Sequence, residues 1–166
     1  MQKDLKDDGA KRPISISVPL GSGYDREAEE ARQRADVVAY ARRQLGEPYK
    51  FGIESPEDKD LDAWDCSELY QHAFRAAGLH LPDGAQAQYD FCRPVRAPKP
   101  GDLGFLWSDK RNMIGHVFVA TAEGMVVHAV GGIGVVEDPI SLWEHIPRFR
   151  GWGRHPDWAL PIEERA

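Results

Sequence analysis

The 166-residue sequence predicts an α+β domain, with helices first and an antiparallel sheet after them. Three observations predict it. Helical spacing and helix stops are confined to the first half of the chain. Short segments rich in Val, Phe and Ile, set apart by Gly and Asp turns, fill the second half. No segment repeats. Helices segregated from strands in this way belong to α+β architecture and not to alternating parallel units.

The bulk numbers set bounds. The length suits one domain with one ordinary core, and 42% hydrophobic with 29% charged residues is a globular balance. With 27 acidic residues against 21 Lys and Arg, the net charge is −6 and no polybasic block stands out, so nucleic acid is not an expected partner. No apolar run is long enough to insert in a membrane, and Met1–Gly23 is polar without a recognisable secretory signal. The expectation is a protein made in the cytoplasm that meets any outside substrate through lysis, within a virion or by delivery. Two cysteines, Cys66 and Cys92, make neither a zinc ribbon nor a disulfide framework. A single disulfide is disfavoured because the surroundings of Cys66 read as a reactive site.

In chain order, residues 1–23 read as a flexible arm ahead of a single domain at 24–166. Within the arm, Ile14, Ile16 and Val18 alternate as an edge strand would. Residues 25–45 are helical in pattern, with Val38, Ala41 and Leu45 as the apolar stripe and Gly46 and Pro48 as the stop. A loop rich in Asp, Glu and Pro follows over 47–64. A second helix spans 66–77, with Leu69, Ala73 and Ala76 or Ala77 inward and Gly78 placed as its cap. Residues 82–101 read as loop with a short helix near 85–91. Segments 101–107, 116–121, 125–130 and 133–137 form a meander of strands. Residues 141–150 are short helix or loop, and 149–154 a last strand.

Asp65-Cys66-Ser67 stands where the acidic loop becomes a helix. Unpaired N–H groups give a helix N-terminus partial positive charge, which is expected to stabilise a thiolate and lower the thiol pKa. A thiolate attacks carbonyls; the plain alternative is a small buried residue. Of six histidines, His72, His80, His145 and His155 have bland settings. His116 and His128 each lie on a strand flanking the turn Ala122-Glu123-Gly124. If the pairing is centred on Glu123, residue 118 faces 128 and 116 faces 130. Alternation then puts His116, Phe118, His128 and Val130 on one face, with the two histidines diagonal neighbours. That is the nucleophile, base and orienter arrangement: Cys66 attacks, His116 takes the proton, and His128 fixes the tautomer of His116. A zinc site of Cys66, His116 and His128 is the rival, and it lacks an evident fourth ligand.

These residues then show a resemblance. Leu45-Gly46-Glu47-Pro48-Tyr49-Lys50-Phe51-Gly52, Trp64-Asp65-Cys66-Ser67, Pro100-Gly101-Asp102-Leu103, Gly115-His116-Val117 and Val127-His128-Ala129, in that order, resemble the NlpC family of papain-like cell-wall peptidases over about residues 36–154. The resemblance implies a circularly permuted papain-like fold with the cysteine helix packed on an antiparallel sheet. It implies a triad of Cys66, His116 and His128 and no metal or organic cofactor. It also implies hydrolysis of amide bonds in peptidoglycan stem peptides, often between D-γ-glutamate and a diamino acid. Tyr49 matches a family tyrosine at the oxyanion site or substrate, and Asp65 and Ser67 match positions that bind the free amino end of the stem peptide. Each also has a plainer reading: Tyr49 as core, Asp65 as a helix cap, Ser67 as an exposed first-turn residue.

The sequence departs from the family pattern in three places. Glu68 replaces the usual Gly after Asp65-Cys66-Ser67 and adds charge that would oppose a thiolate. The loop over 53–63 is longer and more acidic than usual, and Asp83 replaces a basic residue after Leu81-Pro82. Three functions follow as expectations: a peptidoglycan endopeptidase, as a phage lysin, tail-associated enzyme or delivered effector; a thiol acyltransferase or lipid-acting enzyme on the same scaffold; or a non-catalytic phage structural component.

Overall fold

The computed structural model describes residues 22–50, 65–122 and 124–161. The alternation at Ile14–Val18, the acidic loop 53–63 and the turn residue Glu123 lie outside the described residues. The chain falls into two units, residues 1–32 and 33–166. In the first, the described part is the opening of helix α1 (Ser22–Arg43), mostly exposed, with Arg32 paired to Glu29 one turn earlier.

Among its described residues the second unit holds the rest of α1, two further helices, α2 (Cys66–Ala76) and α3 (Ala85–Phe91), and six strands. The strands are β1 (Arg93–Val95), β2 (Leu103–Ser108), β3 (Met113–Ala120), β4 (Met125–Val130), β5 (Gly134–Pro139) and β6 (Phe149–Arg154). They form one antiparallel sheet in the order β1-β6-β2-β3-β4-β5. The α+β expectation is met: helices come first and α2 packs on the sheet. Strand β1 is an addition. It has three residues, too few for alternation to show, and its Pro94 is tolerated because the strand lies at the sheet edge.

The buried stripe of α1 differs from the expected one. Gln33, Arg34, Val37 and Ala41 are buried, whereas Val38 is only half-buried and Leu45 is exposed. Two polar residues therefore share the inward face, which an apolar count misses. The reason lies in their partners. Gln33 Oε1 accepts from the Trp158 indole at 3.0 Å, and the Arg34 guanidinium lies 4.2 Å over the Trp158 ring. In α2 the inward face is Cys66, Leu69, Tyr70, Ala73 and Phe74, continued by Ala77. Each fully buried Leu or Phe of this kind stabilises by about 1.5–3 kcal/mol. Gly78 (φ +85°) stops α2, its N–H bonding back to the Arg75 carbonyl.

The sheet has a core on each face. Val117, Val119, Val127, Ala129 and Val135 join α2 in the larger one. Leu106, Phe118, Ala120, Val126 and Trp152 make the smaller, against Trp143 and Phe149. The β3–β4 register is Val119 opposite Val127 and Ala120 opposite Val126. That is the pairing centred on residue 123, the condition that the two-histidine reading required.

Asp102, the acid of the Pro-Gly-Asp-Leu run, is fully buried between two arginines. Its Oδ1 accepts from Arg34 at 3.1 Å and from Arg154 Nε at 3.0 Å; its Oδ2 accepts from Arg154 NH2 and from the Lys99 N–H, both at 2.8 Å. Removing the carboxylate breaks the buried pairing that Arg34 and Arg154 share, so Asp102→Ala is expected to cost about 3–5 kcal/mol in urea unfolding. A loss below about 1 kcal/mol, the worth of an exposed pair, would contradict this role.

Candidate active site

Asp65 is the N-cap of α2. Its Oδ1 accepts from the Glu68 N–H at 2.7 Å and from the Ser67 hydroxyl at 3.3 Å, satisfying one orphan donor of the first turn. The cap holds Cys66 as the first helical residue. Ser67 is buried, which corrects the expectation of an exposed side chain. Gln88 of α3, also buried, donates to the Ser67 carbonyl at 3.0 Å and to the Pro82 carbonyl at 2.9 Å, and so pins the first turn of α2 from outside.

The Cys66 thiol lies against the start of β3, donating to the Gly115 carbonyl at 3.8 Å. Gly115 has no room for a side chain, because a Cβ there would meet Ser108 Cβ at 2.6 Å. The next residue is His116. Its Nε2 is 2.8 Å from His128 Nδ1, so the two histidines that the register places diagonally are directly hydrogen-bonded. Two nitrogens this close share a proton and not a metal ion. His128 is fully buried, and Trp143 packs edge-on to its ring with centroids 4.9 Å apart. Both Cys66 and Cys92 are free thiols.

The thiol does not behave as helix position alone suggests. Burial pushes Cys66 up to about 12, and the Asp65 carboxylate adds to the rise. The Val117 N–H and the Arg111 guanidinium pull the other way without overcoming them. Desolvation of a thiolate outweighs the partial charge of one helix end. The acid that opposes the thiolate is Asp65 rather than Glu68. Glu68 is itself buried, with its Oε2 3.1 Å from His72 Nε2 one turn along. His116 is pushed down to about 3, first by burial, then by His128 and Arg148. His128 is lowered by burial, with Asp138 opposing. At rest Cys66 is thus a neutral thiol and His116 a neutral imidazole, and the thiol's hydrogen bond goes to the Gly115 carbonyl rather than to the His116 ring.

Tyr49 is half-buried and packs on the larger core. Burial raises its hydroxyl pKa, and the negative charges of Cys66 and Asp65 raise it further. The 46–49 segment is tied to β5: Gly46 N–H bonds to Val135 O, and Val135 N–H to Glu47 O. Gly134 (φ +113°) permits this, since a Cβ there would sit 2.6 Å from the Glu47 carbonyl oxygen.

Two residues that the sequence reading omitted belong to the site. Arg111, in the β2–β3 turn, lowers the pKa of both Cys66 and Tyr49. Asp138 lies 2.8 Å from His128 Nε2. The expected strand ended at residue 137; one residue more, and the alternation that aligned the histidines would have put Asp138 on their face. Arg111 left no comparable signal, because its placement depends on a turn.

A model of the NlpC/P60 family matches residues 46–146, and the chain belongs to that family. The gamma-DL-glutamyl hydrolase of Bacillus subtilis is 32% identical over 140 residues, covering 82% of this chain and 33% of its own. The peptidoglycan endopeptidase RipB of Mycobacterium tuberculosis is 31% identical over 118 residues, 64% of this chain and 47% of its own. Among solved structures, an NLP/P60-family protein of Staphylococcus aureus superposes with a TM-score of 0.62 at 28% identity, over 74% of this chain and 41% of that one. The chain spans about a quarter to a half of the length of the curated relatives it matches.

Alkylation with iodoacetamide, followed residue by residue by mass spectrometry, checks the thiol. With Cys66 near 12, its rate should climb continuously from pH 7 to pH 10. A plateau reached by pH 7 would mean a preformed thiolate.

Proposed function

We propose that this chain is a cysteine peptidase that hydrolyses amide bonds of peptidoglycan stem peptides, at the bond between D-γ-glutamate and a diamino acid. The observation that supports it most is the His116–His128 hydrogen bond on the strand whose Gly115 carbonyl receives the Cys66 thiol. The names of the relatives support the bond class: one is a gamma-glutamyl hydrolase, another a peptidoglycan endopeptidase.

In the reaction so read, Cys66 Sγ attacks the amide carbonyl carbon as its proton passes to His116. The sulfur–carbon bond forms, the carbonyl π pair moves to oxygen, and the Tyr49 hydroxyl is the donor proposed for that oxyanion. The C–N bond breaks as imidazolium returns the proton to the leaving amine. Water then gives a proton to His116 and adds to the thioester carbonyl; the C–S bond breaks, the acid leaves, and the proton returns to the Cys66 sulfur. Because the resting thiol is neutral, proton transfer accompanies attack and does not precede it. Asp65 and Ser67 serve the helix cap; the proposal that they also take the ammonium end of the stem peptide rests on the family resemblance.

Cys66→Ala should lower hydrolysis of a γ-D-glutamyl–diaminopimelate peptide by at least about a thousandfold. Full activity in that variant, or turnover of acyl-lipids in place of the peptide, would overturn the reading. The acid limb supplies a second test. The base is the neutral form of His116, and its pKa is depressed to about 3, so it is lost only as pH falls through that low value. Activity measured as kcat/KM should hold through pH 6.5 and down to about pH 5. A fall centred near 6.5 would mean an ordinary solvated histidine.

A further inference from the structure

The two histidines do not end the hydrogen-bonded chain. His128 Nε2 stands 2.8 Å from Asp138 Oδ2, and the Trp143 indole N–H donates to that same oxygen at 3.3 Å. Asp138 faces Val126 across the β4–β5 pairing, and Val136 faces His128, so Asp138 is the diagonal neighbour of His128 on its own face. Its side chain is about a quarter exposed, while that of His128 has no exposure.

We propose that Asp138 is a positioning residue that sets the proton on both histidines and so leaves the His116 Nδ1 lone pair as the base. The proposal rests on the peptidase reading for its consequence in catalysis, and on the geometry for the tautomers. An aspartate carboxylate only accepts, so His128 Nε2 must be the donor in their contact. In a neutral imidazole the other nitrogen is then bare, and His128 Nδ1 accepts. The partner at 2.8 Å, His116 Nε2, must therefore be the donor. The remaining nitrogen of His116, Nδ1, carries the lone pair. Direction passes from Asp138 through two rings without ambiguity. If the acceptor at 138 is removed, neither ring has a fixed polarity, and half of the possible chains leave Nδ1 of His116 protonated and unable to take a proton from the thiol. Asp138 touches neither thiol nor substrate, and acts only through His128.

Trp143 strengthens the assignment. Its N–H bond to Oδ2 holds the carboxylate, and its ring lies edge-on to His128 and within 6.4 Å of His116, so one side chain both orients the acid and covers the rings.

Nitrogen-15 NMR of the histidine side chains at pH 7 tests the proposal in the unaltered protein. Both His116 and His128 should be protonated at Nε2 and bare at Nδ1; a proton on His116 Nδ1 would overturn it. Variants add the kinetic arm. Asp138→Ala should give mixed tautomers and lower kcat by at least about tenfold, with KM changed less than about twofold, since no substrate contact is lost. Asp138→Asn keeps a carbonyl oxygen that can accept from both His128 and Trp143, so it should restore the tautomers and most of kcat. Wild-type kcat in Asp138→Ala, or a loss of kcat with tautomers unchanged, would overturn the assignment. The two readings fail separately: an active Cys66→Ala removes the peptidase reading, whereas an inactive Cys66→Ala beside a fully active Asp138→Ala removes only the role of Asp138.

Discussion

Asp102 holds a full carboxylate out of water, and the fold around the site is arranged to satisfy it. Arg154 comes from the end of β6, Arg34 from α1, and a backbone donor from the turn at Lys99. The same short segment feeds β3: Gly101 N–H bonds to the Ala120 carbonyl, and Ala120 N–H to the Asp102 carbonyl. One buried charge thus fixes where β2 begins, where β6 ends and where β3 finishes. A buried ion pair is not by itself a large gain in stability, because its desolvation offsets most of the attraction. We read its effect here as one on specificity of arrangement, since a packing that parts Asp102 from Arg154 separates a buried acid from its buried base. The register of β3, on which His116 rides, is among the things it constrains.

From that register the geometry of the proposed triad follows by parity. Val119 opposite Val127 places His116 and His128 diagonally, and the next pairing adds Asp138 to the same face. A slip of one residue in either hairpin would turn one member of the row away. The opposite face supplies Val117, Val119 and Val127 to the larger core, so a slip would also bury histidine among apolar side chains. Packing and chemistry enforce the same register.

Much of this was legible in the sequence, and the reasons are local. Gly46 and Gly78 end helices, Asp65 caps one, and the interval from His116 to His128 is even, which alternation turns into adjacency. What escaped depends on tertiary partners. The inward face of α1 includes Gln33 and Arg34 because Trp158 and Asp102 wait for them, more than sixty residues away. Strand β1 is too short to announce itself. The thiol is the instructive error: helix polarity is readable from position, but burial is not, and burial decides. Glu68 drew suspicion for its charge, yet its carboxylate is hydrogen-bonded to His72, and the neighbouring Asp65 is the acid that raises the thiol.

The proposed reaction turns on which atom attacks the substrate. Rapid acid quench during turnover of a γ-D-glutamyl–diaminopimelate peptide, followed by peptide mapping, asks that directly. A thioester is expected whose added mass is that of the acyl half of the substrate, on the peptide containing Cys66 and on no other. An adduct on Cys92, or complete hydrolysis with no covalent intermediate on Cys66 at any quench time, would contradict it.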